Sequence, residues 1–351
     1  MRCFLRKPKP PISLLALVLF CSKISKEMET KPEKEKSPAS LRWGVLRRAL
    51  ISSSKSSSEC SHQIGVKKIT RKTVRGFNLV PCRPVYDHSS EDFCSSLKSQ
   101  NLAGPKDVCV CYELPVIKAP KLTMVQRRED CVDLDDFAAS SKYNIDTTGL
   151  VCPWPSEDVL AYFCIKHSDI FRSKRVLELG SGYGLAGLAI AASTDANEVM
   201  ISDGNPQVVD YIQRNINFNV GIFGNSKVNS MLLHWNQNQA TDFLNSFDII
   251  VASDCTFFKE FHESLAHTVK SLLKYSETSE AIFFSPKRGD SLFKFLDVIA
   301  DFGLQFELVE NYDDVVWNLH QKFLHGNDSS WPNYTKDHSY PFLVRITFSK
   351  Q

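Results

Sequence analysis

The sequence contains eleven cysteines but lacks a C-x-x-C pair. The number is odd, the cysteines are scattered, and one residue separates the nearest two, Cys109 and Cys111. This spacing is neither that of a zinc-ligand set nor that of a disulfide framework. We therefore expect no metal site and free, mostly buried thiols, as in a protein of a reducing compartment.

The sequence also lacks an apolar run long enough for a comfortable membrane span. PISLLALVLFCS, within residues 1–27, follows a basic start and has signal-peptide length, but no small-x-small cleavage site comes after it. It is a secretory or anchor signal, an organelle presequence, or an upstream extension absent from the working protein. We favour the last, with Met28 as the working start, because the thiol-rich body suits the cytosol. This predicts a cytoplasmic location, extending to the nucleus, with a membrane-anchored or organellar one as the alternative.

Charge of one sign is not in excess over the whole chain, since the net charge is +2, but the distribution is uneven. Residues 1–76 hold 18 of the 42 Lys and Arg residues and 5 of the 40 Asp and Glu residues, which gives +13 there and −11 in the remainder. A basic arm therefore precedes an acidic body. Such an arm is either a plain solubilising tail, which composition favours, or a segment that attracts nucleic acid, anionic lipid or an acidic protein.

No internal repeat is present, and composition divides the chain into four parts. Residues 1–27 are the apolar extension, and residues 28–65 are a flexible, Lys-, Glu-, Ser- and Pro-rich arm with one short basic amphipathic helix, LRWGVLRRALIS. Residues 66–148 predict a few short strands with long loops. From residue 149 to residue 351, strand and helix signals alternate at the spacing of βαβ units.

The last part contains seven strand candidates and five helix candidates. The strands are 175–179, 198–203, 227–233, 247–253, 280–285, 304–310 and 342–348, and the helices are 156–168, 184–193, 206–218, 259–274 and 290–302. The first five strands are short and apolar, as strands covered on both faces should be. We predict an α/β fold with an open, doubly wound, Rossmann-like sheet, whose ligand lies at the carboxyl ends of the strands beside the first glycine turn.

That turn lies in RVLELGSGYGLAGLAIAAS, residues 175–193. Gly180, Gly182 and Gly184 follow a strand, where glycine supplies positive φ and lets a ligand approach the backbone. Gly182, Gly184 and Gly187 also satisfy G-x-G-x-x-G, which keeps a nicotinamide cofactor open. We expect Glu178, at the strand end, to face the crevice, where a carboxylate suits a ligand with a cationic group better than a pyrophosphate.

The second strand ends in Asp203, within ISDGN. An acidic side chain here accepts hydrogen bonds from ribose hydroxyls in either cofactor class, and a turn-forming Asp-Gly is the structural alternative. ELGSGYG followed by ISDGN resembles motif I and the next acidic motif of class I S-adenosylmethionine-dependent methyltransferases. The resemblance implies S-adenosylmethionine without a metal, an antiparallel last strand, and a sulfonium and amino group near the loop, which would account for Glu178.

Three further stretches, GLVCPWPSEDVLAYFC, LLHW and FDIIVASDCTFF, are similar to the seven-β-strand protein-lysine methyltransferases of family 16. In that family the Trp before motif I and the acidic residue after strand four line the cofactor and substrate site, and a Trp after strand three packs near the adenine. The corresponding residues are Trp154, Asp254 with Phe257, and Trp235. A core role for either tryptophan and a helix N-cap role for Asp254 are the alternatives.

CPWPSEDVLAYFCIKHSDIFR, SPKRGDSLFKF and ENYDDVVWNLHQKF further resemble the members of this family that methylate calmodulin, from about residue 41 to the end of the chain. This implies calmodulin as the protein partner, no nucleic acid, a monomer, and methylation up to trimethyl-lysine. Asp254 would orient the amine and draw off positive charge, and Phe257 would form part of an aromatic channel wall. The basic arm and the loop with Lys287 and Arg288 would steer acidic calmodulin.

Three other functions stay open. One is a family-16 enzyme that acts on another protein, such as a chaperone or an elongation factor. Another is a nicotinamide-dependent oxidoreductase, which Glu178 and the W-P-S segment disfavour. The third is an interaction module without activity, which need not keep the glycine turn, Asp203 and Asp254 together.

Overall fold

The computed structural model describes residues 76–85, 106–116, 120–127, 145, 148–150, 154–236, 241–332 and 334–349. The apolar extension 1–27 and the basic arm 28–65, with its predicted helix, lie outside these residues. The five cysteines within them, Cys82, Cys109, Cys111, Cys164 and Cys255, are free thiols, and two of the five are buried.

A small antiparallel sheet precedes the main one. It contains β1 (Cys82–Pro84), β2 (Asp107–Glu113) and β3 (Lys121–Arg127), in the order β1-β2-β3. These strands fall on the alternating segments of the predicted β-rich region, so short strands there are confirmed.

The main sheet has seven strands in the order β6-β5-β4-β7-β8-β10-β9. They are β4 (Arg175–Leu179), β5 (Glu198–Asp203), β6 (Lys227–Leu232), β7 (Ile249–Ser253), β8 (Glu280–Pro286), β9 (Leu304–Val309) and β10 (Pro341–Phe348). The first five pair in parallel, whereas β10 pairs antiparallel with β8 and β9. The predicted doubly wound α/β fold and its antiparallel last strand are confirmed.

Seven α-helices accompany the strands within the described ranges. They are α1 (Pro155–Lys166), α2 (Leu185–Ser193), α3 (Pro206–Asn219), α4 (His262–Leu272), α5 (Ser291–Asp301), α6 (Asp314–Leu324) and α7 (Lys336–Ser339). The five predicted helices are α1 to α5, and the candidate 259–274 begins as a 3-10 turn before α4. Helices α6 and α7 were not predicted.

The position of each strand explains its composition. The central strands β4 and β7 are covered on both faces, and Val176, Leu177, Ile250 and Val251 are fully buried. The edge strand β6 alternates between exposed and half-buried positions. Burial of both faces selects continuous apolar runs, whereas one open face permits polar residues. The hydrophobic core therefore lies along the central strands, and the loops at their carboxyl ends rest on a rigid base.

No helix within the described ranges is both long and apolar enough to cross a membrane. In the same part of the chain, no group of three or more His, Cys, Asp or Glu side chains is placed to hold a metal ion.

Candidate active site

The glycine turn lies at the carboxyl end of β4, beside the end of β5. Gly180, Gly182 and Gly184 have φ values of 57°, 56° and 82°. The amide of Gly182 donates to Asp203 Oδ2 at 3.2 Å, and the amide of Ser181 donates to the carbonyl of Ser202 at 3.0 Å. The predicted positive φ is confirmed at all three glycines, and Asp203 stands at the turn as expected. Their contact with a cofactor stays a prediction.

The space around each glycine differs. A Cβ added at Gly180 would lie 2.8 Å from Cys255 Sγ and 3.2 Å from Trp235 Cζ2. At Gly182, by contrast, no atom lies within 4 Å of an added Cβ. The turn is therefore packed against Trp235 and Cys255 at its start and open at its middle. An open backbone face of this kind is where a ligand approaches closely.

Glu178 does not face the crevice, contrary to our expectation. Its side chain is buried, with the residue 1% exposed, and its Oε2 accepts a hydrogen bond from the amide of Gly187 at 2.8 Å. Burial raises the pKa of Glu178 well above its usual range. Gly187 is in the first turn of α2, and a Cβ there would lie 2.6 Å from Glu178 Oε2. Glu178 thus accepts a hydrogen bond from an amide at the start of α2, where amides have no partner within the helix. Gly187, the third glycine of the G-x-G-x-x-G match, leaves room for the Glu178 carboxylate.

Trp235 follows β6 and lies beside the turn. Its ring is edge-on to that of Phe261, with centroids 6.1 Å apart, and its carbonyl accepts from Thr268 Oγ1 at 3.4 Å. The side chain is half-buried against the core. The structure therefore brings Trp235 to the predicted site, with one side of the ring against the glycine turn.

Asp254 is the first residue after β7, and both of its carboxylate oxygens are engaged. Arg288 donates from Nε to Oδ1 at 2.9 Å and from Nη2 to Oδ2 at 2.7 Å. Ser156 Oγ, in the first turn of α1, donates to Oδ2 at 3.2 Å. The Asp254 and Arg288 side chains are 3% and 8% exposed. The amine-orienting role of Asp254 stays a prediction, and the carboxylate that would serve it is held by a buried cation.

The two predicted aromatic residues flank that cation. The guanidinium carbon of Arg288 lies 4.6 Å from the ring centroid of Trp154 and 4.8 Å from that of Phe257. The two rings are 6.2 Å apart and inclined by 52°. The structure thus unites Trp154, Asp254 and Phe257, as predicted, around Arg288. Arg288 is accordingly not a free surface cation for steering a partner, which corrects our expectation for its loop.

The loop that carries Asp254 and Phe257 is fixed from behind. The carbonyl of Thr256 accepts from Ser291 Oγ at 2.6 Å and lies 2.9 Å from His262 Nε2. Ser291 Oγ also donates to the carbonyl of Phe257 at 3.1 Å. Burial lowers the pKa of His262. The neutral tautomer with hydrogen on Nε2 donates to Thr256, so this network holds the loop without adding charge.

Sequence reasoning missed the partners of Asp254, namely Arg288 and Ser156. One signal was available for Arg288, because β7 and β8 pair in parallel, with Ser253 beside Phe284. The loops that follow neighbouring parallel strands meet at the same edge of the sheet. Asp254 and Arg288 each lie in such a loop, so a contact between them follows from the topology.

Comparison with known proteins agrees with this geometry. A family model described as lysine methyltransferase matches residues 142–302. The chain is 56% identical over 311 residues to a calmodulin-lysine N-methyltransferase of Arabidopsis thaliana, across 89% of this chain and 97% of that protein. The chain belongs to the lysine methyltransferase family.

More distant members of the lysine methyltransferase family match a smaller part of the chain. The protein-lysine N-methyltransferase EEF2KMT of Mus musculus is 33% identical over 136 residues, which cover 36% of this chain and 40% of that protein. The protein N-terminal and lysine N-methyltransferase efm7 of Schizosaccharomyces pombe is 28% identical over 168 residues, 44% of this chain and 65% of that protein. Because this chain belongs to the lysine methyltransferase family, the protein is a methyltransferase, and the nicotinamide-dependent oxidoreductase is excluded.

Proposed function

We propose that this methyltransferase transfers methyl groups from S-adenosylmethionine to a lysine of calmodulin. The observation that carries the reaction is the cluster of Asp254, Trp154 and Phe257 at the carboxyl ends of the strands. The cluster and the glycine turn both lie at the carboxyl ends of the parallel strands. The choice of calmodulin is supported by the 56% identity to the Arabidopsis enzyme, which extends over 97% of that protein.

The glycine turn fits the cofactor. The backbone at Gly182 has φ of 56° and open space where a side chain would be, so a ligand can lie against it. Asp203 accepts amide hydrogens from Gly182 and Asn205 and offers its carboxylate at the end of β5, where ribose hydroxyls are expected. The Trp235 ring offers an aromatic surface beside the turn for the adenine. When bound, S-adenosylmethionine supplies an electrophilic methyl group on a sulfonium.

The side chains of the cluster set the chemistry at the amine. Free lysine has a pKa near 10.4, so about one amine in a few thousand is neutral at pH 7, and only that form attacks the methyl carbon. Asp254 orients the amine nitrogen and stabilises the positive charge that develops on it. The Phe257 ring forms part of an aromatic wall, and the face that Arg288 leaves open would accept a methylated ammonium through cation–π contact, which permits repeated methylation up to trimethyl-lysine.

The test uses the full chain, radiolabelled S-adenosylmethionine and unmethylated calmodulin. We expect label in calmodulin, and a loss of about 100-fold or more in rate for Asp254→Asn. Asp301→Asn, at the exposed end of α5, is the matched control and should keep wild-type activity. Thermal unfolding of each variant checks that the fold is intact.

The outcomes separate cofactor from substrate. Stabilisation by S-adenosylhomocysteine without label in calmodulin would retain the methyltransferase and reject calmodulin. A chaperone or an elongation factor would then be the next substrate to assay. Absence of both label and stabilisation would reject the proposed cofactor as well.

A further inference from the structure

Arg288 is the least expected member of the candidate site. Two parallel hydrogen bonds join its guanidinium to both oxygens of Asp254, at 2.9 and 2.7 Å. The Arg288 side chain is 8% exposed, and its guanidinium carbon lies 4.6 and 4.8 Å from the Trp154 and Phe257 ring centroids. Bidentate pairs of this kind fix the orientation of a carboxylate as well as its position.

The backbone on both sides of the pair is strained. Asp254 has φ of 56° and Arg288 has φ of 46°, values that residues with a side chain seldom adopt. The amide of Asp254 donates to the carbonyl of Phe284 at 2.9 Å, and that of Arg288 donates to the carbonyl of Asp337 at 2.8 Å. Such conformations are unfavourable, and they cluster at functional sites where the surroundings hold them. The fold therefore holds both partners in this geometry.

The charge of the pair bears on the proposed reaction. An unpaired carboxylate beside the substrate would stabilise the ammonium form of lysine, which has no lone pair for attack. Arg288 offsets part of that charge, and what remains on the carboxylate stabilises the positive charge that develops on the amine during transfer.

The other titratable groups near the pair contact partners other than the Asp254 carboxylate. Lys287 lies over the rings of Phe293 and Phe342, and Cys255 Sγ lies 3.4 Å from the carbonyl of Leu179. His262 bonds to the carbonyl of Thr256, and Asp337 Oδ2 accepts the amide of Gly289 at 2.8 Å. Among the contacts of Asp254 in the described part of the chain, Arg288 is thus the cation that offsets its charge.

We propose that Arg288 is a positioning residue for methyl transfer. It holds the Asp254 carboxylate in one orientation and offsets part of its charge, so that lysine binds as the free amine. This inference rests on the proposed function. The competing explanation is that Arg288 only occupies the lysine site and leaves when the substrate enters.

The experiment measures kcat and KM for calmodulin methylation between pH 6.5 and 9.5. It compares wild type with Arg288→Met, Arg288→Gln and Arg288→Lys. Lys227→Met is the matched control, since it removes one exposed positive charge at the start of β6, at the amino ends of the strands and away from Asp254. Differences from this control remove any effect of pH on calmodulin itself.

We expect Arg288→Met and Arg288→Gln to lower kcat at pH 7.5 by about tenfold or more. The acid limb of kcat against pH should move up by about one unit, because the unpaired carboxylate holds the ammonium form. Arg288→Lys keeps the charge but loses the bidentate geometry, so its limb should return to the wild-type pH with kcat partly restored.

Three results would overturn the proposal. If the Arg288 variants lower kcat but the acid limb of the pH profile does not move, Arg288 has only a structural role. If the pH profile and kcat are both unchanged, Arg288 has no role in the reaction. A lower KM with kcat retained would show that Arg288 is displaced by the substrate. If Arg288→Met does not fold, the Gln and Lys variants decide. Label with wild type and Lys227→Met establishes the proposed function independently, and its absence in both rejects that function and the role of Arg288 together.

Discussion

Gly180 is the residue at which the glycine turn tolerates a side chain least. It combines φ of 57° with contacts of 2.8 Å to Cys255 Sγ and 3.2 Å to Trp235 Cζ2 for an added Cβ. Gly182 has nearly the same φ but open space around it. An expected positive φ explains glycine at both positions from the sequence alone. Only the structure shows that neighbouring side chains also exclude a Cβ at Gly180.

We expect Gly180→Ala to weaken S-adenosylhomocysteine binding by about tenfold or more, because Trp235 and Cys255 must move away from the turn. The positive φ adds about 1 kcal/mol of destabilisation. Titration calorimetry and thermal unfolding measure the two effects. Gly221→Ala is the control, since no atom lies within 4 Å of its added Cβ.

A second substitution tests the cause. Cys255→Ala removes the sulfur that a Cβ at position 180 would meet, so Gly180→Ala combined with Cys255→Ala should regain part of the affinity. Equal affinities for the single and the double variant would show that the contact with Cys255 is not the reason for glycine at this position.

The position of a site residue was predictable where a sequence motif places it next to a strand or a helix. It was not predictable where the residue's role depends on a partner that is distant in the sequence. Asp203, Asp254 and Trp154 lie at the sheet edge because each adjoins a strand end or a helix start. The sequence did not reveal that Glu178 turns away from the crevice, since burial depends on the packing of α2 over β4. Nor did it reveal Arg288, whose partner lies 34 residues earlier.

Regular elements were predictable because their periodicity is local. The missed helix α6 has a clear start, since Asp313 Oδ1 accepts the amides of Val315 and Val316. Its buried face, with His320 and Phe323, packs against the ring of Tyr340 and that of Phe77, in the first described segment. Such long-range packing does not appear in a window of neighbouring residues.

Helix α3 also covers one edge of the small sheet, that of β3, which sequence patterns do not show. Asn219 accepts the amide of Thr123 at 3.0 Å and donates to its carbonyl at 2.7 Å, and Asn215 accepts the amide of Val125 at 2.7 Å. Two buried asparagines thus replace a neighbouring strand along β3. An open strand edge is a site of aggregation, so this pairing protects the sheet as well as anchoring it.

We expect Asn219→Ala to lower the free energy of unfolding by about 1–3 kcal/mol, because it leaves the amide and carbonyl of Thr123 without partners. Urea unfolding measures this loss. Asn217→Ala, an exposed asparagine on the same helix, should change stability by less than about 0.5 kcal/mol. Equal losses of unfolding free energy for the two variants would show that helix propensity, and not the contact with β3, determines the loss.

At the scale of the whole molecule, an aromatic cluster joins the first described segment to the last third of the chain. The ring of Phe77 lies 5.9 Å from that of Phe323, 5.8 Å from Trp331 and 6.3 Å from Tyr340. No local pattern predicts contacts between residues so far apart in the sequence. His320 is fully buried in this cluster, with Nδ1 at 2.6 Å from the hydroxyl of Tyr334.

Burial, with a smaller contribution from Lys336, lowers the pKa of His320 from 6.5 to about 4. Because the folded pKa lies below the unfolded one, the unfolded chain binds more protons between these values. The contribution of His320 to stability is therefore present above pH 6.5 and lost as the pH falls toward 4. Desolvation of Asp158 raises its pKa to about 6 and acts in the opposite direction, so the wild-type curve alone does not isolate His320.

The comparison that isolates it is wild type against His320→Asn, with urea unfolding at intervals from pH 4 to pH 7.5. The difference in unfolding free energy should increase by up to about 3 kcal/mol as the pH rises to 6.5, and stay constant above. His267→Asn, at an exposed position on α4, is the control substitution. A difference for His320→Asn that does not vary with pH would mean that the cluster admits the charged ring, and that Phe77 and its partners do not exclude water from it.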